Sequence, residues 1–166
     1  IIFSRDELKQ HTMSRKFQAE FNQGRLRFLI GDVRDVDRLG RAFRGVDHII
    51  HAAALKQIGA CEYNPSECVK TNIDGAQNVV DAAIDCGVKR VVFVSTDKAV
   101  HPVNTYGKSK AVAESIFVQG NAYAPKHETR LAVVRYGNVL GSRGSVVLVF
   151  REQAKNGTLK ITHRDM

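Results

Sequence analysis

The 166 residues are 43% hydrophobic and 25% charged, which suits a globular domain with its own core and excludes a disordered or fibrous chain. The net charge of +8 is scattered over Arg15-Lys16, Arg25, Arg27, Lys89-Arg90 and Arg143, without the basic run and interleaved aromatics of a nucleic-acid surface. No apolar run approaches the ~20 residues of a membrane-spanning helix, and the opening "IIFSRDELKQ" lacks the layout of a signal peptide.

In chain order, "IIF" at 1–3 reads as a buried strand, followed by an amphipathic helix over 6–21. A second strand, "LRFLI" at 26–30, precedes a helix over 35–45. The third, "HIIHAAA" at 48–54, leads into a long helix over 64–87, where Val69, Ile73, Val79, Val80, Ala83 and Ile84 form one broad apolar face. Pro65 falls in its first turn and Gly87 at its stop. "RVVFVS" at 90–95 is a fourth strand, a helix covers 105–123, and "RLAVVRY" at 130–136 is a fifth strand.

This alternation predicts an α/β fold, a Rossmann-like doubly wound parallel sheet covered by helices on both faces. No repeat or Pro/Gly/Ser-rich linker divides the chain, so 1–166 reads as one dinucleotide-binding domain. Cys61, Cys68 and Cys86 show neither CxxC pairing nor histidines at metal-ligand spacing, and read as buried or half-buried thiols of a reducing compartment. The expectation is a soluble, cytoplasmic protein without a metal. In a dinucleotide-binding fold a glycine fingerprint joins the first strand to the first helix. No GxGxxG occurs here, so the first strand reads as the second of a Rossmann half, and the chain as an internal fragment.

Several strand ends carry candidate chemistry. In "FSRDELK", Ser4, Arg5 and Lys9 offer a hydroxyl and cations suited to the 2′-phosphate of NADP. The same letters fit an ordinary helix start, with Ser4 capping and Asp6-Glu7 in the first turn. "GDVRD" offers Asp32 to an adenine amine and Val33 to its ring, and also makes a plain turn. "HAAALK" sets Ala52 and Ala53 where a backbone must approach a cofactor, then the cation Lys56; small residues serve close helix packing equally well.

The densest stretch is "VSTDKAVHPVNTYGKSK" at 94–110. Thr96, Asp97 and Lys98 emerge at the carboxyl end of the fourth strand, where open α/β sheets bind ligands. Pro102 delays the next helix, and Tyr106 and Lys110 then lie one turn apart on one face. A lysine beside a tyrosine hydroxyl favours its ionised form, bringing a group that ionises near pH ~10 towards use as a general base. Asn72 sits mid-helix, where a polar residue is mildly unfavourable. The glycines of "RYGNVLGSRGS" permit tight turns.

With "CEYNPSECVKTNIDGAQNVV" and "VVRYGNVLGSRGSVV", these blocks resemble the extended short-chain dehydrogenase/reductase superfamily, polysaccharide biosynthesis type, and within it the nucleotide-sugar 4,6-dehydratases that invert C5. The resemblance runs nearly end to end. It implies a missing first strand and Gly-rich loop, and a missing end holding most of the substrate domain, with 138–166 leading into it. It implies NADP as cofactor, UDP-N-acetylglucosamine as substrate, a place in pseudaminic acid synthesis for flagellin or surface-glycan modification, and a homo-oligomer when full length.

The resemblance also implies roles. Tyr106 takes the proton of the sugar C4 hydroxyl, Lys110 holds the ribose and tunes Tyr106, and Thr96 bonds the C4 oxygen. Lys98 takes the C5 proton and Asp97 protonates the departing C6 hydroxyl. Lys56, Asn72, Asn138, Ser142 and Arg143 fall on the substrate side, Val139 at the nicotinamide, and 142–145 near the diphosphate. Retaining relatives carry Asp-Glu where this chain has Asp97-Lys98, and large membrane-bound relatives usually carry methionine in place of Tyr106. Departures from the pattern are His163 for Asp, Ile58-Gly59 for Val-Pro and His101 for Asn. Two rival readings stay open: an epimerase, which needs the tyrosine but no acid-base pair, and a non-catalytic NADP-binding module.

Overall fold

The computed structural model describes residues 1–124, 128–141 and 145–161. It divides into two compact units, Ile1–Arg135 and Tyr136–Met166.

The first unit is built on five parallel strands, all at the positions the apolar runs predict: β1 (Ile2–Ser4), β2 (Phe28–Ile30), β3 (His48–His51), β4 (Arg90–Val94) and β5 (Arg130–Val134). They form two ladders, β1-β2 and β3-β4-β5, with Phe3 opposite Leu29 in the first and Ile50, Val92 and Ala132 in line across the second. The ladders are not hydrogen-bonded to each other. Between them lies a cavity of about 190 Å³ lined by Ile1 and Phe3 from one side and Ile49 and His51 from the other. In the usual strand order of a dinucleotide-binding sheet, that place belongs to the first strand, so the expected doubly wound fold is present with its centre open.

Helices α3 (Val36–Phe43), α6 (Gly75–Asp85) and α7 (Thr105–Tyr123) bury Leu39, Val79, Val80 and Phe117 together with Val91 and Phe93 of β4. Burial of each such side chain stabilises by about 1.5–3 kcal/mol. On the opposite face of the β3-β4-β5 ladder, Ile50 and Val134 are 75% and 46% exposed. The crossovers from β2 to β3, β3 to β4 and β4 to β5 all run the same way across the sheet, and right-handed crossovers of one direction put their helices on one face.

Two helix expectations also change. The 6–21 helix is interrupted at Phe17, giving α1 (Glu7–Lys16) and α2 (Gln18–Asn22). Its cap is Asp6, whose carboxylate accepts from the Lys9 amide, while Ser4 Oγ accepts from the Asp6 amide at 3.2 Å. The 64–87 helix contains α5 (Pro65–Val69), a π-helical turn at Lys70–Asp74, and α6. The wider turn rotates α6 relative to α5, so Val69 leaves the apolar face and is 40% exposed while Val79 and Val80 stay buried. Gly87 ends α6 at φ +67° as expected. A short α4 (Ile58–Tyr63) precedes α5; the sequence pattern predicts no helix there.

The second unit contains α8 (Val146–Lys155), which the sequence pattern likewise does not predict, with Ser145 at its N-cap. A loop bond lies just beyond it, the Lys160 amide donating to Gln153 Oε1 at 3.0 Å.

Candidate active site

At the carboxyl end of β4 the backbone turns through a single 3-10 turn, Asp97–Ala99, capped by Thr96, whose hydroxyl oxygen accepts from the Lys98 amide. The Thr96 hydroxyl donates to Asp97 Oδ1 at 2.9 Å, and the Lys98 ammonium donates to the same oxygen at 3.1 Å. Lys98 and Thr96 hold the Asp97 carboxyl below the usual carboxylate range. Helix α7 starts against this turn. Asn104 caps it by accepting from the Gly107 amide at 2.8 Å, and Glu62 of α4 accepts from the Thr105 amide at 2.7 Å. Asp97, Lys98, Tyr106 and Lys110 are thus gathered at one strand end, as the sequence suggests.

Tyr106 is half-buried and Lys110 fully buried. The Lys110 ammonium donates to the Val94 carbonyl at 2.8 Å and lies 3.8 Å from the centroid of Phe93. Burial pushes its pKa down to about 8, with Glu114 opposing the shift. Beneath it, His51 stacks on Phe93 and Phe117 with centroids 5.4 and 5.9 Å away. Burial, with Lys110 adding to it, pushes His51 down to about 3, so it is neutral in use.

Asn72 occupies the π-helical turn and bonds across to the loop after β3. Its Oδ1 accepts from the Leu55 amide at 2.8 Å, and its Nδ2 donates to the Leu55 carbonyl at 2.9 Å and to Ser109 Oγ at 2.9 Å. Ser109 donates to the Tyr106 carbonyl at 2.8 Å. One buried amide therefore ties the strand-end loop to the helix turn that carries Tyr106. Cys68 packs on this network, 3.5 Å from Ser109 Oγ. Cys61 donates to the Leu55 carbonyl, and burial followed by Cys68 pushes its pKa to about 12. Sequence reasoning missed Ser109; its place beside Lys110 in α7, facing the polar mid-helix Asn72, is the signal that could have found it.

The ends of β1 and β2 carry the cofactor candidates. Ser4 and Arg5 leave β1, and Arg5 donates to Asp32 Oδ2 at 3.2 Å. Arg34 donates to the same oxygen at 2.8 Å and to Glu67 at 2.7 Å. Burial raises the Asp32 pKa, but Arg34 and Arg5 outweigh it and leave it low. The Asp32 carboxylate is thus a tether for two guanidiniums, and Arg34 is a second cation at this edge that sequence reasoning missed. Lys9 is paired with Asp6 at 2.8 Å. Val33 is buried in the core, where the backbone of Gly75 packs on it. Ala52, Ala53 and Lys56 lie beyond β3, all three exposed.

Asn138 and Val139 are exposed residues of the second unit. Ser142, Arg143 and His163 lie outside the described residues. Among the described residues, no helix is long and apolar enough to cross a membrane.

The Asp97-Lys98 pair and the helix turn from Tyr106 to Lys110 thus stand together at one strand end of a Rossmann-like sheet. The chain belongs to the polysaccharide biosynthesis protein family, whose model matches residues 1–166. It is 52% identical over 165 residues to the UDP-N-acetylglucosamine 4,6-dehydratase (inverting) of Campylobacter jejuni, covering 99% of this chain and 48% of that protein. A UDP-glucose 4-epimerase of Rickettsia akari is 47% identical over 166 residues, again covering 48% of the relative. The chain thus spans about half the length of these curated relatives.

Among solved structures, Pen from Bacillus thuringiensis superposes with a TM-score of 0.87 at 44% identity, over 92% of this chain and 48% of that one. A double mutant of DesIV, the dTDP-glucose 4,6-dehydratase of Streptomyces venezuelae, with NAD and DAU bound, gives 0.68 at 28% identity, over 84% and 48%.

Proposed function

We propose that the protein carrying this chain dehydrates UDP-N-acetylglucosamine across C5 and C6 with inversion at C5, using NADP that is regenerated in each turnover. The observation that supports this reading most is the Asp97–Lys98 ion pair at 3.1 Å, set beside Tyr106 and Lys110 at the carboxyl end of β4. An epimerase has no use for such a pair, because it needs only removal and return of hydrogen at C4.

The β1 and β2 ends carry groups suited to a 2′-phosphate: the Arg5 and Arg34 guanidiniums, which meet at Asp32, and the Ser4 hydroxyl at the end of β1. Ser4, Arg5 and Lys9 would hold that phosphate, Ala52 and Ala53 the close backbone approach, and Tyr106 and Lys110 the nicotinamide ribose; Asp32 would meet the adenine together with the backbone of Val33, whose side chain is buried under Gly75. When bound, the nicotinamide supplies a hydride acceptor that takes hydrogen from C4 and returns it at C6.

Tyr106 removes the C4 hydroxyl proton while Thr96 bonds that oxygen, and the resulting ketone acidifies the C5 proton. Lys98 takes that proton and Asp97 protonates the leaving C6 hydroxyl. In the resting ion pair the protons are the wrong way round for these roles: Lys98 carries one that a base must lack, and Asp97 lacks one that an acid must give. Transfer of one proton from the Lys98 ammonium to Asp97 along their hydrogen bond supplies an amine base and a carboxylic acid together. Desolvation by a bound sugar favours that neutral pair. Return of a proton to C5 from the opposite face inverts the centre.

Lys56, Asn138, Ser142 and Arg143 are the proposed substrate-side residues, with Val139 at the nicotinamide; Asn72, buried with its amide bonded to Leu55 and Ser109, acts behind them by holding the strand-end loop rather than by touching the sugar. The proposed setting is cytoplasmic synthesis of a pseudaminic-acid-type precursor by a homo-oligomer. Mass spectrometry of full-length protein incubated with NADP and UDP-N-acetylglucosamine tests the reaction class. A product lighter by one water is expected, whereas an isomer of unchanged mass sinks the dehydratase in favour of an epimerase.

A further inference from the structure

One turn beyond Lys110 on α7, Glu114 is only 8% exposed. A carboxylate there stays charged only with a partner. Arg135, just past the end of β5, supplies it: Nε donates to the two carboxylate oxygens at 2.9 and 3.1 Å, and Nη2 donates to Oε2. Arg135, followed by minor contributions that include Lys110, holds the Glu114 carboxyl below its ordinary range against the effect of burial. Tyr106, Lys110 and Glu114 follow at four-residue spacing along one stripe of the helix. That stripe reads base, cation, anion, and Arg135 closes it with a second cation.

A tie between β5 and α7 accounts for the bonds but not for the order of charges. Lys110 makes no ion pair among the described residues; its ammonium rests on the Val94 carbonyl and the Phe93 ring. The titratable groups on the elements packed around it are few. Its own helix brings Tyr106 and Glu114, β3 brings the neutral His51, the end of β5 brings Arg135, the 3-10 turn brings Asp97 and Lys98, and α5 brings Cys68. Asp97 is already paired with Lys98. Glu114 is therefore the one buried anion among the described residues able to draw Lys110 along the helix, and Arg135 occupies both of its oxygens.

We propose that Arg135 is a positioning residue for Lys110: by engaging both oxygens of Glu114 it withholds that carboxylate, so the Lys110 ammonium stays towards Tyr106. The proposal rests on Tyr106 being the base that Lys110 serves. Without Arg135, Glu114 pulls Lys110 away from Tyr106 and the phenol becomes harder to ionise. Without the Glu114 charge, an uncompensated Arg135 adds a second cation to the row and the phenol becomes easier to ionise.

The test is an ultraviolet titration of tyrosinate in the full-length protein without cofactor or sugar nucleotide, each variant read against the same variant carrying Tyr106→Phe. Arg135→Met is expected to raise the proton affinity of Tyr106 about tenfold, and Glu114→Gln to lower it. The double variant is expected to return to within about twofold of the parent, since no carboxylate remains to capture Lys110. A Tyr106 titration unmoved by both single changes, or a double variant displaced as far as Arg135→Met, reduces the pair to a structural tie and overturns the proposal. Should Arg135→Met fail to fold, Glu114→Gln decides: a lowered affinity supports the proposal and an unchanged one overturns it. No sugar nucleotide is in the cuvette, so failure of the dehydratase reading leaves this outcome untouched.

Discussion

Gly107 and Lys98 touch backbone to backbone: a Cβ placed on Gly107 would overlap the Lys98 carbonyl oxygen and crowd Pro102 as well. The approach brings the first turn of α7, with Tyr106, against the turn that carries Asp97 and Lys98. Alanine gains about 1 kcal/mol of helix propensity over glycine, but here the obstacle is a backbone carbonyl that cannot rotate aside. Gly107→Ala is expected to destabilise by about 1–3 kcal/mol and to lower kcat about a hundredfold through misplacement of the base. Thermal unfolding and steady-state rates check it; unchanged kcat would mean that this spacing does not matter to the chemistry.

Asn72 pairs with both backbone groups of Leu55, as a neighbouring strand would. In Asn72→Ala these groups and Ser109 lose their partner in a buried place, at about 1–3 kcal/mol each before relaxation. Asn72→Asp keeps the acceptor for the Leu55 amide but sets an anion against its carbonyl, and is expected to be no better. Denaturant titration of the three proteins measures the ranking.

His101 is the non-glycine residue with positive φ among the described residues, at 45°. Where the family pattern often has asparagine, this chain holds a histidine in the left-handed region, which asparagine tolerates better. His101→Asn is expected to raise stability by about 0.5 kcal/mol, seen as a small increase in Tm with unchanged activity.

Lys110 gives a pH signature. Its folded pKa of about 8 lies below the ordinary value of 10.5 that it takes in the unfolded chain, so between these values the unfolded chain holds the extra proton and stability rises with pH. Below pH 8 the burial cost, on the order of 3 kcal/mol, is fully present. Lys110→Met in cofactor-free protein is therefore expected to be most favourable relative to the parent below pH 8, with the advantage shrinking towards pH 10. A Tm difference that is flat across this range would show that Lys110 is solvated.

The strands were legible because each is a short apolar run between turn residues, and the strand-end groups because an open parallel sheet presents ligands there. Less visible were features set by tertiary contact. The π-helical turn that moves Val69 off its face leaves no mark in a 3.6-residue period, and α4 is too short to show one. The pairing of Asp32 with Arg5 and Arg34 joins residues from two strand ends, so "GDVRD" alone could not reveal that its carboxylate is already engaged. Glu114 and Arg135 lie 21 residues apart and meet only because β5 returns alongside α7.

The most direct test of the central claim is NMR of the product that the full-length protein forms from UDP-N-acetylglucosamine and NADP in deuterated water. A 4-keto-6-deoxy sugar with deuterium at C5 and the inverted configuration is expected from Lys98 and Asp97 acting as base and acid. Unchanged sugar, a C4 epimer, or retention at C5 would contradict the roles given to that pair.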